Sequence, residues 1–180
     1  SAEIHSMAME FLTAPWHHLL FGADTPKYAL THTEESLIFL AYGCEVDEFQ
    51  HIMYQHPNLT PDQRNDVWLK LEKKYRPWID FDGLPFYGRG AGWQRQLHIY
   101  ECPFYYIDYC LSTMAALQFF LLNEADHADA WQRYLRLCRR GGTASYTELC
   151  ETAGLRTPFE EGSVKAIAQP VANWIAEHQI

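Results

Sequence analysis

No apolar run in this sequence reaches the roughly 18 residues that a membrane-spanning helix needs, and no signal-peptide pattern is visible. Basic residues are scarce: Lys plus Arg number 14 against 23 Asp plus Glu, a net charge of −9. That balance argues against a nucleic-acid partner, which requires a basic footprint, and against an anionic membrane surface. The five cysteines, Cys44, Cys102, Cys110, Cys138 and Cys150, are odd in number and form no Cys-x-x-Cys pair. Free thiols in a reducing compartment are expected, which makes the chain cytoplasmic, and nothing marks any thiol as a nucleophile. The glycine-rich stretch from Asp82 to Gly92 lacks Walker spacing and lysine, which argues against a phosphate loop. Period-two alternation, internal repeats and low-complexity linkers are absent as well, so strands and multidomain arrays are not indicated.

What is present is an apolar, aromatic chain: 48% hydrophobic and 15% aromatic over 180 residues, enough for one folded domain over 1–180. The pattern predicts an all-α fold of about seven helices. Ile4, Met7, Phe11 and Leu12 recur at helical spacing from Glu3 towards Phe21, with Pro15 expected to kink or break the helix and Gly22 to stop it. Thr25-Pro26 opens a second helix, in which Gly43 is expected to mark a kink or a short break before the stripe resumes to His56-Pro57. Thr60-Pro61-Asp62-Gln63 combines an N-cap, a first-turn proline and a capping box. Later helices are expected from Phe104 to Leu122, His127 to Arg139, Ser145 to Ala153 and Ser163 to His178, the last bent at Pro170.

The richest stretch is His98-Ile99-Tyr100-Glu101-Cys102-Pro103-Phe104-Tyr105-Tyr106-Ile107-Asp108-Tyr109. With Pro103 in the first helical turn, Tyr105 and Tyr109 lie four apart and Tyr106 and Tyr109 three apart, so their phenols can share one face. His98 can turn back over that face. A phenol and an imidazole aimed at one point can donate to an oxygen that gains charge in a transition state. The competing account is a buried aromatic helix whose hydroxyls find ordinary partners.

His-Ile-Tyr-Glu-x-Pro-Phe-Tyr-Tyr-Ile-Asp-Tyr resembles the substrate-binding motif of the thimet-oligopeptidase family of zinc endopeptidases, in its oligoendopeptidase F branch. The resemblance extends over essentially the whole chain. Glu-Ile-His-Ser-Met-x-Met-Glu-Phe near the start is similar to the branch's third-ligand segment, and Gly-Gly, Ala-Gly-Leu and Pro-Phe recur near the end in the family's order. It implies part of a zincin-like catalytic domain that acts on short peptides. On this likeness His98, Tyr106 and Tyr109 hold the peptide and stabilise the tetrahedral intermediate, with Tyr105 and Tyr100 as further substrate contacts. The motif is one residue shorter than in the thimet branch, which leaves Tyr105 as the alternative to Tyr106. Glu3 takes the place of the third zinc ligand. In the intact enzyme, zinc would polarise the scissile carbonyl and activate water.

The family's His-Glu-x-x-His helix, which supplies two zinc ligands and the general base, is absent; His17-His18-Leu19-Leu20-Phe21 does not provide it. The chain therefore reads as the C-terminal portion of a longer enzyme, with Ser1-Ala2 as an expression remnant and a missing N-terminal part as its partner. No stable zinc and no activity are expected of it alone. Glu3, His98 and the tyrosines would face the missing part, leaving Tyr100, Phe104 and Phe11 exposed. Two copies are then expected to bury that face as a homodimer. Two other classes are open. One is a non-catalytic helical interaction module. The other is a ferritin-like di-iron bundle built on Glu48-x-x-His51 and Glu124-x-x-His127 with Glu10 and Glu35, although Glu124 and His127 sit in what reads as a solvated turn.

Overall fold

The computed structural model describes residues 3–180; Ser1 and Ala2, read above as an expression remnant, lie outside the described residues. The fold is all-α, with no strand among the described residues. The helices are α1 (Ile4–Leu12), the single turn α2 (His18–Phe21), α3 (Thr25–Gln55), α4 (Pro61–Tyr75), the single turn α5 (His98–Glu101), α6 (Ile107–Ala125), α7 (His127–Arg140), α8 (Tyr146–Ala153) and α9 (Ser163–Glu177). Set aside the two single turns, and seven helices remain among the described residues, the number the periodicity predicts. None of them is long and apolar enough to cross a membrane.

The chain forms two compact units, one from residues up to Ile38 together with Leu111–Ile180, the other from Phe39–Cys110. In the first, α1 buries Ile4, Ala8, Phe11 and Leu12, the i, i+4, i+7, i+8 stripe of an amphipathic helix. Phe11 is therefore not exposed as the cleft argument expects: it is 5% accessible and packs on Phe120, with ring centroids 5.2 Å apart. Tyr134 of α7 donates to the His5 carbonyl at 3.3 Å, and Asn123 of α6 donates to the Phe11 carbonyl at 3.3 Å. α1 stops at Leu12, short of Pro15, which sits in a 3₁₀ turn at Ala14–Trp16. The Ser145/Glu148 capping box starts α8, and α9 runs on past Pro170.

In the second unit, Val46, Phe49, Met53, Trp68, Leu71 and Tyr106 form the core. Thr60 and Gln63 close the capping box of α4. Arg76 bridges two carboxylates, Glu45 and Glu72, each at 2.8 Å. Glu45 is fully buried, and desolvation outweighs the arginine to push its carboxyl up to about 7. The glycine-rich loop lies close against α4: a Cβ on Gly90, whose φ is +76°, would stand 2.2 Å from the Asn65 carbonyl oxygen.

Gly43 does not interrupt α3, which is continuous from Thr25 to Gln55. The glycine is there for space: a Cβ at this position would lie 2.1 Å from Cys110 Sγ. Gly43→Ala gains about 1 kcal/mol of helix propensity but forces an overlap that typically costs about 1–3 kcal/mol or more. The expected result in urea unfolding is net destabilisation of the single variant, with the sign reversed when Gly43→Ala is made in a Cys110→Ala background. Equal effects in both backgrounds would refute the steric account.

Candidate active site

The segment from Gln96 to Tyr109 is built around a break rather than one helix. Cys102 precedes Pro103, whose ring disfavours the helical region for the residue before it. Cys102 accordingly leaves α5 at φ −135°, ψ 66°. Phe104 then turns left-handed at φ 63°, an unusual conformation for a residue with a Cβ. The expected helix start at Phe104 is therefore wrong: α6 begins at Ile107, and Tyr105 and Tyr106 stand before it. Buried Gln50 holds this turn, accepting from the Phe104 N–H at 2.9 Å. The Phe104 ring packs on His51 and Tyr54, each with centroids 4.9 Å away. Strain of this kind persists where the surroundings over-determine it, and it recurs at functional sites.

The break brings the predicted residues together. His98 meets Tyr106 edge-on at 5.1 Å and Tyr109 at 5.5 Å between centroids. Tyr109 in turn meets Tyr106 and Tyr105, both at 5.4 Å. His98 Nε2 lies 3.4 Å from the Tyr109 hydroxyl. Tyr106 is 8% accessible and rests on Phe39 and Tyr42; burial pushes its phenol well above the usual range, so it stays protonated as a donor. Tyr100 is not part of this cluster. Its ring stacks on Trp93 at 5.9 Å, and it lines a separate hollow of about 330 Å³ with Phe49, Met53 and Ile99.

Two residues that the motif did not single out complete the cluster. The Tyr42 hydroxyl donates to Gln96 Oε1 at 2.8 Å, and Gln96 Nε2 lies 2.8 Å from His98 Nδ1. Tyr42 comes from α3, far along the chain, and no periodicity points to it. Gln96 stands two residues before His98 in a polar run with no pattern of its own.

Glu3 belongs to the other unit and precedes α1, where Ser6 Oγ donates to its Oε2 at 3.3 Å. Among the described residues no three His, Cys, Asp or Glu side chains converge as a metal-binding group. The residues present do not by themselves fit a zinc ion, which takes about three protein ligands. The Glu-x-x-His pairs are also engaged elsewhere. Glu48 takes Lys74 at 2.5 Å and the Tyr75 hydroxyl, His51 pairs with Asp47 at 3.4 Å, Glu124 accepts from Trp174 at 2.9 Å, and His127 meets Asn123 at 2.6 Å. Glu10 faces His32 at 3.3 Å. Among the described residues no three His, Cys, Asp or Glu side chains form the cluster that a di-iron bundle requires.

A protonated phenol and an imidazole packed against each other beside a strained turn can both donate hydrogen bonds from one face of an all-α fold. Residues 1–169 match the model of peptidase family M3, and the chain belongs to that family. Solved structures agree. PZ peptidase A with inhibitor 2 is 46% identical, with a TM-score of 0.94 over 97% of this chain and 31% of its own. A candidate oligoendopeptidase F gives 46%, 0.93, 97% and 31% by the same measures. A candidate oligoendopeptidase F from Bacillus anthracis gives 40%, 0.81, 97% and 28%. The chain thus spans about a third of the length of these relatives. No curated protein matches it.

Proposed function

We propose that this chain is the C-terminal part of a zinc-dependent oligoendopeptidase that hydrolyses short peptides in the cytoplasm. Its share of the work is to hold the peptide and to donate hydrogen bonds where charge develops. The observation that carries this reading is the convergence of His98, Tyr106 and Tyr109 on one another within a chain of peptidase family M3. His98 and Tyr109 hold the peptide backbone beside the scissile bond. The Tyr106 hydroxyl donates to the carbonyl oxygen as it becomes an oxyanion, an interaction that strengthens in the transition state. Tyr105, against Tyr109, and Tyr100, on the Trp93 side, extend the peptide surface. Glu3 is the third ligand to a zinc whose other ligands and general base lie in the remaining part of the enzyme.

The test is His98→Ala in the complete peptidase, assayed on an internally quenched short peptide. Loss of one hydrogen bond to bound substrate is worth about 1.4 kcal/mol, so kcat/KM should fall about tenfold. An unchanged kcat/KM would remove His98 from the site.

A further inference from the structure

We infer that Gln96, itself held by Tyr42, is a positioning residue that fixes His98 as the tautomer protonated on Nε2. The argument runs along three contacts. Tyr42 is half-buried on α3, and its ring carries the Arg76 guanidinium at 4.8 Å and the Arg95 guanidinium at 5.8 Å. Burial holds the Tyr42 phenol above its ordinary range despite the two arginines, so it keeps its proton. The hydroxyl donates to the amide oxygen, Gln96 Oε1, at 2.8 Å. That leaves the amide nitrogen, which only donates, facing His98 Nδ1 at 2.8 Å. Nδ1 must then be the bare nitrogen of the ring. In the neutral imidazole the proton sits on Nε2, which points to the Tyr109 hydroxyl 3.4 Å away.

The consequence deepens the proposed function and rests on it. A histidine that holds a peptide carbonyl must present N–H, not a lone pair. Without Gln96 the ring can adopt either tautomer and rotate, and in one of them Nε2 repels the carbonyl it is meant to hold. Gln96 touches no substrate in this account; it acts through His98. Tyr42 sets the sense of the amide, so the two should behave as a coupled pair.

The experiment has two arms, so that this inference and the reading of His98 fail separately. In the first, the chain is labelled with ¹⁵N-histidine and the ring nitrogens of His98 are read by long-range ¹H–¹⁵N correlation. The wild type should show an unprotonated Nδ1 and a protonated Nε2. Gln96→Glu, close to isosteric, presents only acceptors to the ring and should place a proton on Nδ1. Gln96→Met should give a mixture of tautomers. Circular dichroism identifies any variant that fails to fold, and Tyr42→Phe, which leaves Gln96 in place but frees its amide to flip, then supplies the readout. The same Nε2-protonated state in wild type, Gln96→Met and Tyr42→Phe overturns the inference. In the second arm, Gln96→Glu in the complete peptidase should lower kcat/KM for a quenched short peptide by about 10–100-fold, as for other outer partners that orient an imidazole. A tautomer that moves while kcat/KM stays constant supports Gln96 as the determinant of the tautomer and overturns His98 as the peptide contact.

Discussion

Replacing Tyr106 by phenylalanine in the complete peptidase is expected to lower kcat by about 10²–10³-fold with little change in KM, the loss typical of one oxyanion donor. The split follows from where the hydroxyl acts. A donor that meets the carbonyl oxygen mainly after it becomes charged stabilises the transition state and not the bound peptide. The substitution is also structurally quiet. The ring contacts of Tyr106 to Phe39, Tyr42, His98 and Tyr109 are made by its faces and edges, which phenylalanine keeps. Unfolding of Tyr106→Phe should therefore match wild type. A full kcat with normal stability would refute the role and move it to Tyr105, the neighbour that also reaches Tyr109. A collapse of stability would instead make Tyr106 a core residue first.

Which parts of this were legible in the sequence follows from the range over which each signal acts. The capping box at Thr60/Gln63 is local and is formed as read, and the helix expected from Ser145 starts on a second box, Ser145/Glu148, that the reading did not name. The apolar stripes are nearly as local, which is why the helices of α4, α7, α8 and α9 fall within a residue or two of expectation. The failures share a different cause. Gly43 resembles a helix breaker until Cys110, brought in by α6, is seen to fill the space of its missing Cβ. Phe104 resembles a first-turn helix residue until Gln50, on α3, is seen to hold its N–H in a left-handed turn. In each case a distant side chain overrides a local preference. The candidate site is legible by a third route. Its residue types were carried by likeness to a family, and the chain proves to belong to family M3. The likeness takes in the segment that begins at Tyr42 but assigns no role to Tyr42 or Gln96, because their contribution is a contact across elements and not a pattern.

The purified chain alone should cleave no peptide, with or without added zinc. A catalytic zinc needs about three protein ligands and an open position for water, and a general base within reach of that water. The sequence contains no His-Glu-x-x-His, so two ligands and the base have no counterpart. Glu3 offers one carboxylate, and one carboxylate in water holds a hydrated ion too weakly for catalysis. The histidines best placed to substitute have other partners: His32 with Glu10 at 3.3 Å, His51 with Asp47 at 3.4 Å, and His98 with Gln96 at 2.8 Å. Equilibrium dialysis should accordingly show no stoichiometric zinc at micromolar metal. An assay with an internally quenched peptide should show no turnover above buffer. Restoring the part that corresponds to the rest of the relatives, as a fused or co-expressed chain, should bring back zinc and turnover together, and Glu3→Gln should then lower zinc occupancy before it touches the fold. Chelator-sensitive cleavage by the purified chain, surviving repeated chromatography and lost in His98→Ala, would show that this third of the enzyme builds a working metal site by itself and would overturn the division of labour proposed for it.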